Sequence, residues 1–255
     1  MIKNFVNVLN KLGLKKDDAV FIHSDLSNLK FLNSNIWELS ENIFDGIFEI
    51  IGKNGAILVP TFTYHNFSKK KIFDNKNTFS ETGIFSEYLR TKKNSLRSNH
   101  PIFSISSYGN KSELFVRNNS LNSTGTGSPF ERLYHFNAKI LHLNLKLVTR
   151  CTFLHYVEEK NNVPYRYSKY FEYTIIDHDN NKKKLFFENF VRKIESLKFP
   201  PTSKKIQNLL IKNKIMKKEN YNDNLITLTE CQNLFKFVSK KMETNKFILY
   251  EKSFN

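Results

Sequence analysis

Ala19-Val20-Phe21-Ile22-His23 is an apolar run ending in a histidine, and Ala56-Ile57-Leu58-Val59 is a second apolar run. Between them Ile36, Leu39, Ile43, Ile47 and Ile50 or Ile51 recur at helical spacing, which predicts a helix over 35–51. Ser34 offers a side-chain oxygen as its cap, and Gly52 and Gly55 end it. A helix between two wholly apolar strands is the pattern of a β-α-β unit, whose strands run parallel and are buried on both faces. The expected fold is therefore α/β, with a mixed, largely parallel central sheet flanked by helices.

Working outward, Phe5, Val8, Leu9 and Leu12 followed by Gly13 predict an opening helix. His23-Ser24-Asp25-Leu26-Ser27 stands at a strand end, where open α/β sheets hold ligands, although a plain turn explains the same residues. Residues 64–80 read as an exposed polar loop containing Phe73-Asp74, and 84–90 as a short helix. Leu96 to Pro101 is irregular and precedes a strand over 102–107. Ser128 and Pro129 start a helix, and Gly125 and Gly127 before them lack the lysine and spacing of a phosphate loop. A strand over 139–145 leads, through Thr149 or Thr152 as cap, to a helix carrying His155. Strands over 170–177 and 184–190 joined at 179–181 form an antiparallel β insertion. After Pro200-Pro201 a lysine-rich stretch shows little pattern, and Thr227 with Glu230 reads as a capping box for a helix over 231–242. One domain over 1–255, with a β lid at about 164–190, accounts for this order.

The chain has 255 residues, 40% of them hydrophobic, with 24 Phe and 11 Tyr, enough to bury a large core. Its net charge of +16 invites nucleic acid, yet Lys and Asn are spread along the whole chain and no nucleic-acid motif is present, so no nucleic-acid partner is expected. The charge suits an anionic small molecule by steering. Cys151 and Cys231 make no disulfide framework, no run of 18 apolar residues could span a membrane, and residues 1–14 do not read as a signal peptide. A soluble cytoplasmic protein is expected; a homodimer is left open.

In Cys151-Thr152-Phe153-Leu154-His155-Tyr156-Val157-Glu158, the histidine and carboxylate three residues apart meet on one helix face. The pair reads either as a general base with its orienting acid or as a structural ion pair. The helix N-terminus favours neutral imidazole and Glu158 favours its cation, a balance that suits a base. Cys151 as a thiolate nucleophile is the competing chemistry. His155 and Glu158 apart, the histidines show no repeated ligand spacing, so no metal is expected.

Several of these segments, in the same order from about residue 5 to 176, resemble the aminoglycoside 3-N-acetyltransferase family, which is distinct from the GNAT type. They are His23 to Ser27, Gly55 to Thr63, Phe73-Asp74, Thr82-Gly83, Glu87 to Arg90, Arg97 to Pro101 with Ser104 and Gly109, Gly127 to Pro129, and Thr152 to Glu158. The resemblance implies transfer from acetyl-CoA or another acyl-CoA, as co-substrate, to a sugar amine. It makes His155 the base, Glu158 its orienter and Asp74 a group that positions the amine. It assigns His23, Ser24, Asp25, Ser27, Arg97, Ser98 and Ser104 to the CoA, and Thr61, Tyr64 and Glu87 to the substrate. The wording around His155, with Tyr165, Arg166 and Tyr167 after it, is similar to the branch acylating nucleotide-linked 3-amino-3,6-dideoxyhexoses for surface glycans. There the tyrosines would stack on base or sugar and Arg166 would meet phosphate. An aminoglycoside substrate is the alternative, and a nucleic-acid-binding domain without activity the second. Where the family shows a Gly- and Asp-containing turn, this chain has Asn144 to Thr149.

Overall fold

The computed structural model describes residues 2–26, 35–67, 71–145, 151–201 and 203–250. Strand β1 (Ala19–Ser24) lies in the middle of a seven-stranded sheet, parallel to β2 (Ala56–Pro60) on one side and to β6 (Lys139–Leu143) on the other. Every residue of β2 and β6 is buried, which is why they read as unbroken apolar runs. Helix α2 (Ile36–Ile51) makes the crossover from β1 to β2. Its cap is Asn35, whose side chain accepts the Trp37 and Glu38 N–H groups at 3.0 and 2.9 Å; Ser34 lies outside the described residues.

Both flanks of the sheet are antiparallel. On one side β5 (Ile105–Tyr108) pairs with β2 and β4 (Leu96–Arg97) with β5; on the other β10 (Asn224–Glu230) pairs with β6 and β9 (Met216–Tyr221) with β10. The sheet is thus parallel only at its centre. The β9–β10 turn places Asn222 and Asp223 at φ 45° and 62°, the left-handed pair that closes two-residue hairpins.

Helices cover both faces. Helix α1 (Ile2–Leu12), α2 and α3 (Ile84–Thr91) pack on Val20, Ile22, Ile57 and Leu141. Helices α5 (Pro129–His135), α6 (Phe153–Lys160), α7 (Ser203–Lys212) and α8 (Cys231–Thr244) pack on Phe21, Leu58 and Ile140, and the small α4 (Ser112–Val116) supports the edge. Ser128 caps α5 as expected, accepting the Glu131 N–H, while Glu131 accepts the N–H of Gly127.

A second sheet joins β3 (Ile72–Asp74), β7 (Arg166–Ile176) and β8 (Lys182–Arg192). It corrects the loop expected over 64–80: Phe73 is wholly buried with Ile102, Tyr173 and Phe187, held by pairing with a strand far away in sequence. The hairpin β7–β8 is longer than its expected strands, running in register from Arg166↔Arg192 to Ile176↔Lys182. Beyond Pro201, the stretch without pattern contains α7, β9 and β10. Thr227 is no helix cap there; alternation of buried Ile226 and Leu228 places it inside β10, and Glu230 precedes α8 without a side-chain capping bond. The strand expected over 102–107 begins at Ile105, because His100 Nδ1 accepts the N–H groups of Ile102 and Phe103 in a tight turn.

Candidate active site

The carboxyl ends of β1, β2 and β6 open into a cleft of about 640 Å³, the position where open α/β sheets bind ligands. Ser24 and Asp25 follow β1, Pro60 and Phe62 follow β2, Leu145 follows β6, and Thr152 and His155 come from the start of α6. Tyr64, Glu81, Thr82, Gly83 and Ile84 complete the wall. Phe153, Leu154, Tyr156 and Val157 bury the core face of α6, which fixes the helix and aims His155 at the opening.

Glu158 is 1% exposed, one helical turn from His155, whose side chain keeps 25% of its surface. The His155 Nδ1 lies 2.7 Å from Glu158 Oε2. Arg166, at the start of β7, brings Nε to 2.9 Å from the same oxygen, and the Tyr165 hydroxyl donates to Oε1 at 3.0 Å. Arg166 also donates to the Phe190 carbonyl at 3.0 Å. Burial on its own would raise the Glu158 carboxyl, but the His155 hydrogen bond, the Arg166 charge and the Tyr165 hydroxyl outweigh it and hold it below the usual carboxylate range. Burial, then Arg166, pulls His155 below the ordinary histidine value, against the opposing pull of Glu158.

At neutral pH the carboxylate is ionised and the imidazole neutral. Nδ1 carries the proton and donates it to Glu158, so the Arg166 Nη2 at 3.1 Å from Nδ1 is a charge contact, not a donor to it. The Nε2 lone pair is what remains for chemistry. Thr152 lines the same cleft, and its buried hydroxyl oxygen has no partner among the described residues.

Other expected site residues lie elsewhere. Ser27 is outside the described residues. Arg97 donates to the Thr61 carbonyl at 2.7 Å, to Asn75 O at 3.3 Å, to Thr78 O and to Ser104 Oγ at 3.0 Å. Ser98 Oγ accepts the Ile105 N–H and Ser104 Oγ donates to Thr61 O. These four residues staple β4 and β5 to the end of β2; none lines the cleft, because main-chain carbonyls already occupy the guanidinium. Asp74 does not line it either: its carboxylate accepts the Lys76 and Asn77 N–H groups and the Asn77 side chain, as a turn cap. Glu87 is bound to Arg90 at 2.5 Å and to the Ser80 N–H at 2.8 Å. Tyr165 is 3% exposed with its hydroxyl on Glu158, so it stacks on no ligand, and Arg166 is held by Glu158 and Phe190. Tyr167 is exposed on β7 away from the cleft. Cys151 is buried behind the cleft with its thiol pushed up to about 12, which removes the thiolate nucleophile. His23 lines the cleft, but its ring is buried against His142.

Phe62, Glu81 and Thr82 also line the cleft, and Thr152, expected only as a helix cap, lines it and makes no side-chain capping bond. Thr82-Gly83 had a family signal; Glu81 had none, since only tertiary packing brings it there. Glu81 accepts from His65 Nδ1. Among the described residues the ionisable lining comprises His23, Asp25, Tyr64, Glu81 and His155, with no Lys or Arg.

This strand order and helix placement are shared with acetyltransferase structures. The fold matches "AAC-IIIb binary with CoASH" at 20% identity and TM-score 0.78, covering 96% of each chain. It matches aminoglycoside acetyltransferase AAC(3)-IIb at 18% identity and TM-score 0.80, covering 96% of this chain and 97% of that one. The YokD protein from Bacillus subtilis matches at 18% identity and TM-score 0.76, covering 96% and 99%. No curated protein matches the sequence. The fold is that of the N-acetyltransferase class. The chain belongs to the aminoglycoside 3-N-acetyltransferase family, whose profile matches residues 21–243.

Proposed function

We propose that this protein transfers the acetyl group of acetyl-CoA to an amine of a cationic, aminoglycoside-like amino sugar, with His155 as general base. The observation that carries this is a neutral imidazole, held by a buried carboxylate, at a cleft with Asp25 and Glu81 and no Lys or Arg among its described lining. An ammonium is not a nucleophile. The ammonium first loses one proton to solvent; as the amine nitrogen attacks the thioester carbon and the C–N bond forms, His155 Nε2 takes a second proton from that nitrogen, and the C–S bond breaks. The imidazolium then returns the proton to the departing CoA sulfur. Thr152 Oγ1, buried and without a described partner, is the candidate donor to the carbonyl oxygen as it gains charge. The family assignment and the CoASH-bound relative of the same fold support acyl-CoA as co-substrate.

The nucleotide-linked hexose expected from the wording around His155 has less support. Arg166, the phosphate contact expected for it, is engaged inside the protein. The β7–β8 hairpin, expected as a lid, is anchored at both ends, by Arg166 at its base and by the pairing of Thr174 to Ile176 with β3 near its turn, and is not part of this proposal.

A substrate screen tests the reading. Polycationic aminoglycosides and nucleotide-linked amino sugars are offered with acetyl-CoA and longer acyl-CoAs, and acylated product is measured. Aminoglycoside acetylation supports it; acylation of the nucleotide-linked sugars alone refutes it.

A further inference from the structure

The parallel register of β1 and β6 sets His23 opposite His142, and side-chain alternation points both to the face that carries Phe21 and Ile140. The two rings stack, with centroids 5.3 Å apart and planes 16° apart. Both are almost wholly buried, and the Nε2 of each has no hydrogen-bond partner among the described residues. A buried polar atom left without a partner costs stability, and two side by side call for an occupant. Cys151, 1% exposed, meets them from two residues before α6, and the three ligand atoms all lie within 4.8 Å of one another.

From this geometry we infer that His23, His142 and Cys151 form a binding site for a borderline-soft divalent cation of the zinc type, on the floor of the acetyl-transfer cleft. Two imidazoles and a thiol without a carboxylate select such ions over Mg2+ or Ca2+, which prefer oxygen. Zn–N near 2.0–2.1 Å and Zn–S near 2.3 Å place tetrahedral ligands about 3.4 Å apart, which rotations of the side chains reach from the observed spacing. Burial holds both histidines below the ordinary value, so they meet the ion unprotonated. The thiol does not: the Zn–S bond forms as the S–H proton leaves to solvent, so affinity rises with pH. Access is through the cleft, which His23 and Thr152, the residue after Cys151, line. Amine attack on a thioester needs no metal. A cation here sits in the acyl-transfer space and brings positive charge beside the helix of His155, so it inhibits.

Cobalt titration of the chelator-treated full-length protein reads the site without turnover, so its failure is distinct from a failure of the acetyl-transfer reading. We expect one equivalent of Co2+ to produce tetrahedral d–d bands with a thiolate charge-transfer band. Cys151→Ser should lose the charge-transfer band, and both it and His142→Asn should bind at least about tenfold more weakly, with circular dichroism confirming their fold. Zinc should inhibit the wild type, reversibly by chelator, at least about tenfold more potently than it inhibits Cys151→Ser. Absence of a thiolate band, or the same band and zinc sensitivity in Cys151→Ser, overturns the site.

Discussion

His155 and Glu158 can be read in the sequence because their contact is local: three residues on a helix guarantee it. Their environment cannot. Arg166 and Tyr165, both expected to touch ligand, instead meet Glu158, and that contact depends on where β7 begins, which no spacing reveals. The assignment makes definite predictions. His155→Ala should lower kcat by roughly two to four orders of magnitude without unfolding, read by steady-state rates beside a melting curve. Thr152→Val, which keeps the shape and removes the hydroxyl, should lower kcat by about a hundredfold with little change in KM; an unchanged kcat removes Thr152 from the reaction. Because His155 titrates below the ordinary value, the acid limb of kcat/KM should lie below about pH 6.5. Arg166 is the largest charge holding it down, so Arg166→Gln should move that limb to higher pH. A limb that moves down or stays in place would mean that the histidine is not the titrating group.

At the scale of elements, local signals were reliable and distant ones were not. The run of β1, α2 and β2 carries apolar periodicity, and Ser128-Pro129 marks the start of α5, so these were legible. β3 was not: Ile72 and Phe73 are a lone apolar pair in a basic stretch, and the burial of Phe73 depends on β7, about a hundred residues on. Thr227 with Glu230 matched a capping box, but the alternation of Ile226 and Leu228 against β6 prevails. The turn before β5 supplies a stability test. His100 Nδ1 accepts two main-chain N–H groups, and burial pulls the ring down to about 3. The unfolded chain takes up that proton near pH 6.5 and the folded one does not, so stability falls as pH drops from about 6.5 towards 3, by up to about 1.4 kcal/mol per pH unit. His100→Asn keeps an acceptor and removes the titration, so its melting temperature should depend less on pH over this window. An unchanged dependence would assign the acid sensitivity to other groups. Gly109 is the other structural dependency. Its φ is 119°, and a Cβ there would stand 2.4 Å from the Gly55 carbonyl oxygen, so Gly109→Ala should destabilise by about 2 kcal/mol or more in chemical denaturation.

For the whole molecule, composition and site carry opposite charge. A net charge of +16 suggested an anionic substrate, yet the described wall of the cleft holds Asp25 and Glu81 and no cation. Net charge sums a surface, whereas a substrate meets only the groups that the fold gathers. The basic exterior suits the approach of anionic CoA, and the acidic wall suits a cationic acceptor. Replacing both carboxylates, Asp25→Asn with Glu81→Gln, should raise KM for a polycationic acceptor by about tenfold and leave KM for acetyl-CoA within about twofold, since one charge contact is worth about 1 kcal/mol near a surface. No helix among the described residues is long and apolar enough to cross a membrane. The most direct test of the central claim is the rate of acetyl transfer from acetyl-CoA to a polycationic aminoglycoside at neutral pH, wild type against His155→Ala. We predict turnover by the wild type and a loss of roughly a hundredfold to ten-thousandfold in the variant; equal rates in the two proteins would contradict the account.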